Sequence, residues 1–233
     1  MAELYKISLL NDAALKLYYR FEETSGDTAN DTSAANHDGT ASRTNILNNS
    51  GGKYGYRAVF VGTSSDFIYT ADHADFDSTT SFSVGGWIYR NGSNQNKGII
   101  AKWTGQGGDN SSSFAFIFDP TSANKIALYV NTTSTKNVTT TNVIADTTWT
   151  HVVGTYDGSN IKIYVDGAYD TQTGQTGEVV VGTSQIEIGR YSGGNYATGS
   201  LDDLFFFKNK VLSSGEVKQL YLDTGGSFLL NFV

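Results

Sequence analysis

Apolar and polar residues alternate with a period of two through most of this chain, which marks strands with one face buried and the other turned outward. In SFSVGGWIY (81–89), Phe82, Val84 and Ile88 share one face, while Ser83, Trp87 and Tyr89 share the other. SFAFIFD (113–119) puts Phe114, Phe116 and Phe118 together, and KIALYVN (125–131) does the same for Ile126, Leu128 and Val130. QIEIGRY (185–191) repeats the pattern through Ile186 and Ile188. Only SSGEVKQLY reads as a helix: Ser213 and Glu216 form a capping box, and Val217, Leu220 and Tyr221 recur at helical spacing. The stretches 104–113, 131–148 and 192–199 read as turns, loops or polar strand faces.

The segment WTHVVGTYDGSNIKIYVDG (149–167) predicts a hairpin, because two alternating runs flank Asp157-Gly158 and a second Asp-Gly pair closes the return strand. Asp157 and Asp166 are expected to bond their own turn backbone. His151 is expected to pack within its strand rather than act as a base.

Composition supports an all-β domain. The chain has 233 residues, with 14 Tyr, 13 Phe, 26 Gly and one Pro, enough for an aromatic core joined by many tight turns. Its net charge of -7, with Lys and Arg scattered, excludes a phosphate-binding stripe and hence nucleic acid as a partner. No Cys is present, so there is neither a disulfide frame nor a thiolate metal site. No apolar stretch is long enough to insert across a bilayer.

Five blocks in order carry a family likeness. The hairpin segment resembles the most recognisable part of the laminin-G-like jelly rolls in the concanavalin A-like lectin/glucanase superfamily. LYYRFEETSGDTANDTSAANHDGT (17–40) resembles the family's opening strand and acidic loop, and GKYGYRAVFVGTSSDFIYT (52–70) its second block. SFSVGGWIYR (81–90) resembles the third, and GSLDDLFFFKNKVLSSGEV (199–217) the closing strand and helix. Val61 departs from the pattern, since the family often has Asp there. The resemblance implies a two-sheet antiparallel jelly-roll sandwich over residues 15–222, preceded by an extension (1–14) and followed by an apolar tail (223–233).

The superfamily includes glycoside hydrolases, which by resemblance carry a Glu-x-Asp-x-Glu run on one strand. No such run exists here. None of the six Glu residues (3, 22, 23, 178, 187 and 216) has a second acid two or four residues along on a β pattern. A nucleophile elbow is missing too, and His37, His73 and His151 stand at no metal-ligand spacing, which sets zinc chemistry aside at this level. The expectation is a non-catalytic domain.

Glu22, Glu23, Asp27, Asp31 and Asp38 crowd the first loop, a set of hard oxygen donors suited to Ca²⁺. Relatives of this fold tie such a region to an acid in the closing strand, so the resemblance implies a structural calcium at Glu22, Asp31 and Asp202. A solvated acidic loop is the alternative. For carbohydrate, which needs an aromatic face and planar polar groups, the candidates are Trp103, Tyr191, Asn195 and Tyr196. Each also has a plain packing role open to it. The expected partner is a glycan or glycoconjugate.

A different class of function rests on the chain's end. Phe228, Leu229, Leu230, Phe232 and Val233 are too apolar for a free tail, which is expected to dock on its own domain or to add as a strand to another copy, the latter suiting a virion decoration, fibre or surface protein. The first residues hold no secretory-signal core, so the expectation is release by lysis, or secretion after removal of a signal.

Overall fold

A computed structural model describes Leu9, residues 11–104 and residues 111–222 of the chain. The first third supplies β1 (Leu15–Tyr19), β2 (Thr28–Ala29), β3 (Gly39–Ala41), β4 (Asn49–Ser50), β5 (Tyr56–Val61) and β6 (Ile68–Thr70). After a single 3₁₀ turn (Ala74–Phe76) come β7 (Phe82–Arg90), β8 (Lys97–Lys102), β9 (Phe114–Phe118), β10 (Ile126–Asn131) and β11 (Thr135–Thr139). The rest is β12 (Trp149–Tyr156), β13 (Asn160–Val165), β14 (Ala168–Gly174), β15 (Ile186–Ile188), β16 (Thr198–Lys208) and the helix α1 (Ser214–Leu222). The apolar tail, on which the assembly expectation rests, lies outside the described residues.

These strands form two antiparallel sheets of eight. The first runs β14-β13-β12-β7-β16-β5-β4 with β1 also on β16, and the second runs β11-β10-β9-β8-β15-β6-β3-β2. Their non-sequential order is that of a jelly-roll sandwich, in agreement with the sequence. The faces that alternation assigned inward meet in one core: Phe82, Phe116, Ile163 and Ile188 are all fully buried. At its centre the rings of Phe114 and Phe206 stack 5.2 Å apart and 10° from parallel, with Phe82 5.1 Å from Phe114. Burying each such side chain contributes about 2 to 3 kcal/mol, and this apolar burial is the main force holding the sheets together.

A second apolar cluster lies on the outward side of the first sheet. There α1 lays Val217 and Leu220 over Leu15, Tyr18, Val153, Tyr164, Phe205, Phe207 and Leu212. Its capping box forms as the sequence predicts: Glu216 N–H donates to Ser213 Oγ at 3.2 Å, and Ser213 N–H donates to Glu216 Oε2 at 2.7 Å. Leu9 is buried in the same cluster and Asp12 pairs with Lys210, so the stretch just before β1 packs onto the sandwich. No helix among the described residues is long and apolar enough to cross a membrane.

The predicted hairpin is β12–β13, closed as expected. Asp157 Oδ1 accepts from Ser159 N–H and Asn160 N–H within its own turn, whereas Asp166, expected to do the same, instead accepts through Oδ1 from His151 N–H across the hairpin. His151 is buried against Trp87 (5.1 Å between rings) and Tyr221 (6.2 Å). Burial, reinforced by the charge of Lys53, pushes its imidazole down to about 3, so it is held neutral as a packing residue.

Candidate functional site

Strand β16 is long enough to serve two neighbours in turn. Its Thr198–Leu201 half pairs with β5, its Leu204–Phe207 half pairs with β1, and the register breaks between Asp202 and Phe205. At that break Asp203 takes a left-handed backbone (φ 46°), so the Asp202-Asp203 pair does not obey the face alternation of a regular strand. Tyr18 Oη donates to Asp203 Oδ1 at 2.8 Å, and Tyr54 N–H donates to Asp202 Oδ2 at 2.9 Å.

Glu22 reaches the same place from the N-terminal side, its Oε2 accepting from Tyr56 N–H at 3.4 Å. Between the acids runs a turn that only glycine can fill. A Cβ on Gly52 would lie 2.8 Å from Asp202 Oδ2, and one on Gly55 would lie 2.3 Å from Glu22 Oε2. Burial, the neighbouring Asp203 and the charge of Glu22 push the Asp202 carboxyl up to about 8. Two acids pressed on a glycine cradle, one of them hard to ionise unaided, fit a hard cation.

Asp31 does not join them. Its Oδ1 accepts from Tyr18 N–H and Ser33 N–H, and its Oδ2 accepts from Ser33 Oγ and His37 N–H, all within 2.9 Å. Four donors saturate this buried carboxylate, which organises the 31–37 turn. Sequence proximity to Glu22 was misleading because the loop returns Asp31 to bridge Tyr19 on β1, where backbone and hydroxyl donors take up its carboxylate. The ion set expected from the sequence therefore reduces to Glu22 and Asp202.

The outward face of the second sheet holds most of the other candidates. One row of directly paired residues crosses it: Thr40, Tyr69, Glu187, Ala101, Ala115, Tyr129 and Asn137. Trp103 and Tyr191 fold down over the two alanines and Ile117, with Tyr129 edge-on to Trp103 at 6.5 Å. The structure thus brings Trp103 and Tyr191 together, as a sugar platform requires, but it corrects the expectation of an open indole. Trp103 is only 6% exposed, because the small side chains beneath let its ring sink into the sheet.

Asn195 is a brace rather than a projecting amide. Its carbonyl accepts from Gly98 N–H at 3.0 Å and its Oδ1 from Asn96 Nδ2 at 3.3 Å, while Tyr191 Oη donates to Asn96 Oδ1. Tyr196 belongs to a separate stack, 6.4 Å from the Phe67 ring and 6.0 Å from the Arg190 guanidinium. Burial raises the Tyr191 phenol, and it pushes Tyr129 up to about 12, so both hydroxyls stay protonated donors.

Beside the aromatic patch opens a cleft of about 530 Å³. Trp103, Asp72, Ser184, Gln185, Glu187 and Ser192 line it. Glu187 Oε1 accepts from Gln185 Nε2 at 3.1 Å and Arg190 Nη2 at 2.7 Å, whereas its Oε2 is buried without a hydrogen-bond partner in the protein. Asp72 is paired with buried Lys102 at 2.6 Å. Sequence reasoning missed Glu187, Gln185 and Tyr129. For Glu187 and Tyr129 the signal was present, since both sit between inward aliphatic residues and so had to face outward.

The Laminin_G_3 family model, of the concanavalin A-like lectin/glucanases superfamily, matches residues 62–218. A search of curated protein sequences returns no match. Among solved structures, domain 4 of AbnA, a GH43 extracellular arabinanase from Geobacillus stearothermophilus solved with arabinotriose, superposes with a TM-score of 0.68 at 19% identity. That alignment covers 89% of this chain and 98% of the arabinanase domain. The binding domain of Paraclostridial Mosquitocidal Protein 1 gives a TM-score of 0.65 at 14% identity, over 89% of this chain and 51% of that one. The ligand-binding domain of botulinum neurotoxin serotype D, solved with N-acetylneuraminic acid, gives 0.66 at 17%, over 92% and 52%. This chain therefore spans about half the length of the toxin domains and nearly all of the arabinanase one. At these identities the structural likeness establishes the fold, and the family match across most of the sandwich adds the lineage: the protein belongs to the concanavalin A-like lectin/glucanases superfamily.

Proposed function

We propose that this protein is a non-catalytic carbohydrate-binding domain whose ligand lies in the cleft beside Trp103. The observation that carries the reading is the convergence of hydroxyl, amide and carboxylate groups on one cleft next to an aromatic cluster. Ser184 and Ser192 line it with hydroxyls that donate to the Ser111 and Thr104 carbonyls and keep lone pairs to accept with, and Gln185 and Glu187 line it with an amide bonded to a carboxylate, beside the indole of Trp103. Sugars present an apolar face and a rim of hydroxyls that such a mixture matches. Structural neighbours solved with arabinotriose and with N-acetylneuraminic acid support the ligand class.

The two cleft carboxylates argue for binding over hydrolysis. Asp72 is tied to Lys102 and Glu187 to Arg190, whereas protonating a glycosidic oxygen calls for an acid in apolar surroundings with no cation beside it. A glycan array with and without Ca²⁺ tests the reading. Binding that is weakened by Glu187→Gln and by Gln185→Ala is expected, and the absence of any bound glycan, or binding indifferent to both changes, would sink it.

Calcium belongs to the same reading as a stabilising ion at Glu22 and Asp202. Because the folded protein raises the Asp202 pKa from 3.8 to about 8, this group costs stability that is absent below pH 3.8 and grows as pH rises toward 8. A bound cation offsets that cost. In chelator at pH 7, Asp202→Asn is expected to raise the melting midpoint, and it should abolish any rise that Ca²⁺ causes in the unaltered protein. An identical response to Ca²⁺ in both proteins would remove the ion from this site.

A further inference from the structure

Pairing of β3 with β6 brings together two histidines that the sequence leaves 36 positions apart. His37 sits on the loop leading into β3, and His73 with Asp75 sits at the 3₁₀ turn after β6. His37 Nε2 lies 2.9 Å from Asp75 Oδ2, and His73 Nδ1 lies 3.3 Å from the same oxygen. One ligand atom from each of the three residues falls within 4.8 Å of the other two. A tetrahedral zinc shell with bonds of roughly 2.0–2.1 Å has ligand-to-ligand edges of about 3.4 Å, so both imidazole nitrogens already stand near that spacing from Asp75 Oδ2.

The group is held from several sides. Tyr19 Oη donates to the His37 carbonyl at 2.7 Å, and the His37 ring packs 4.9 Å from that of buried Phe76. His73 Nδ1 accepts from Asp75 N–H at 3.1 Å, while its side chain is 53% exposed and so open to solvent. Lys16 Nζ lies 3.3 Å from Asp75 Oδ1, leaving Oδ2 turned toward the two imidazoles.

We propose that His37, His73 and Asp75 bind one divalent ion of the zinc type, with water completing the shell. Binding the ion would release to solvent the proton now shared between His37 and Asp75, and would break the hydrogen bond from Asp75 N–H to His73 Nδ1. Two imidazoles and a single carboxylate select a borderline transition ion over Ca²⁺, which prefers six or more oxygens. Bound there, it clips the loop before β3 to the turn after β6 at one end of the second sheet. The site's three residues are none of those that line the cleft, nor Glu22 or Asp202.

Calorimetric titration of the chelator-treated full chain with ZnCl₂, in excess CaCl₂, tests this directly. One saturable zinc per chain is expected, with a rise in melting midpoint. His37→Ala or His73→Ala should weaken it by more than about tenfold. Lys16→Met should tighten it, because it removes a positive charge beside the ion, and a misfolded variant could not gain affinity in that way. No zinc binding by the unaltered chain, or undiminished binding when both histidines are replaced, overturns the site. Unchanged affinity in Lys16→Met overturns the role of Asp75 as a ligand.

Discussion

The two outward faces of the sandwich begin from the same alternation and end differently. On the first sheet α1 closes over Phe205, Phe207 and Tyr164, and the histidine beneath it is driven neutral and buried with Trp87. On the second sheet the covering is a loop that brings Trp103 and Tyr191 onto alanines and leaves a polar cleft at its side. An apolar cover makes a second core, so every residue under it serves stability. A partial cover of loop and aromatic rings leaves hydrogen-bonding groups beside apolar surface, which is what a ligand site requires.

The largest expected test of this contrast is Phe205→Ala. It should cost about 3 to 5 kcal/mol in denaturant unfolding, as a core truncation does. A loss under about 1 kcal/mol would mean the helix-covered face is not a second core.

Next is pH. Since folding lowers the His151 pKa from 6.5 to about 3, the unfolded chain binds the extra proton between those values, and stability falls as pH drops below 6.5. The loss should approach roughly 3 kcal/mol by pH 4, and a filled variant such as His151→Leu should remove that part of the slope. An unchanged slope would mean the histidine is reached by water despite its cover.

Ser213→Ala should cost about 1 kcal/mol by uncapping α1, read as a lower melting midpoint. The smallest stability effect is expected on the other face. Gln185→Ala, in the cleft, should change stability by about 1 kcal/mol or less while weakening glycan binding, and the reverse outcome would erase the distinction between the faces.

Strand positions and their inward sides were legible because alternation is local and the core is one: every alternating stretch placed its apolar face in it. The hairpin turns at Asp157 and Asp166 and the Ser213 cap were legible for a related reason, being signalled by Asp-Gly pairs and by a Ser and a Glu three positions apart. Short edge strands such as β2 and β4 carried too few residues for a pattern to show. The candidate sites were legible only in part. Asp202 was reached only through the family resemblance, and its coupling to Glu22 depends on a register break that alternation cannot announce. Asp31 looked equivalent to Glu22 until its four donors were in place.

By itself the order of residues determined an all-β sandwich with one capped helix, because a period of two permits one kind of half-buried element and the hairpin and cap signals are written in nearby residues. Tertiary structure alone decided which outward face α1 would cover and that Trp103 would sink onto Ala101 and Ala115. It also decided that His37 would meet His73 and Asp75. Those outcomes depend on which strands become neighbours, and neighbours in these sheets come from distant parts of the chain.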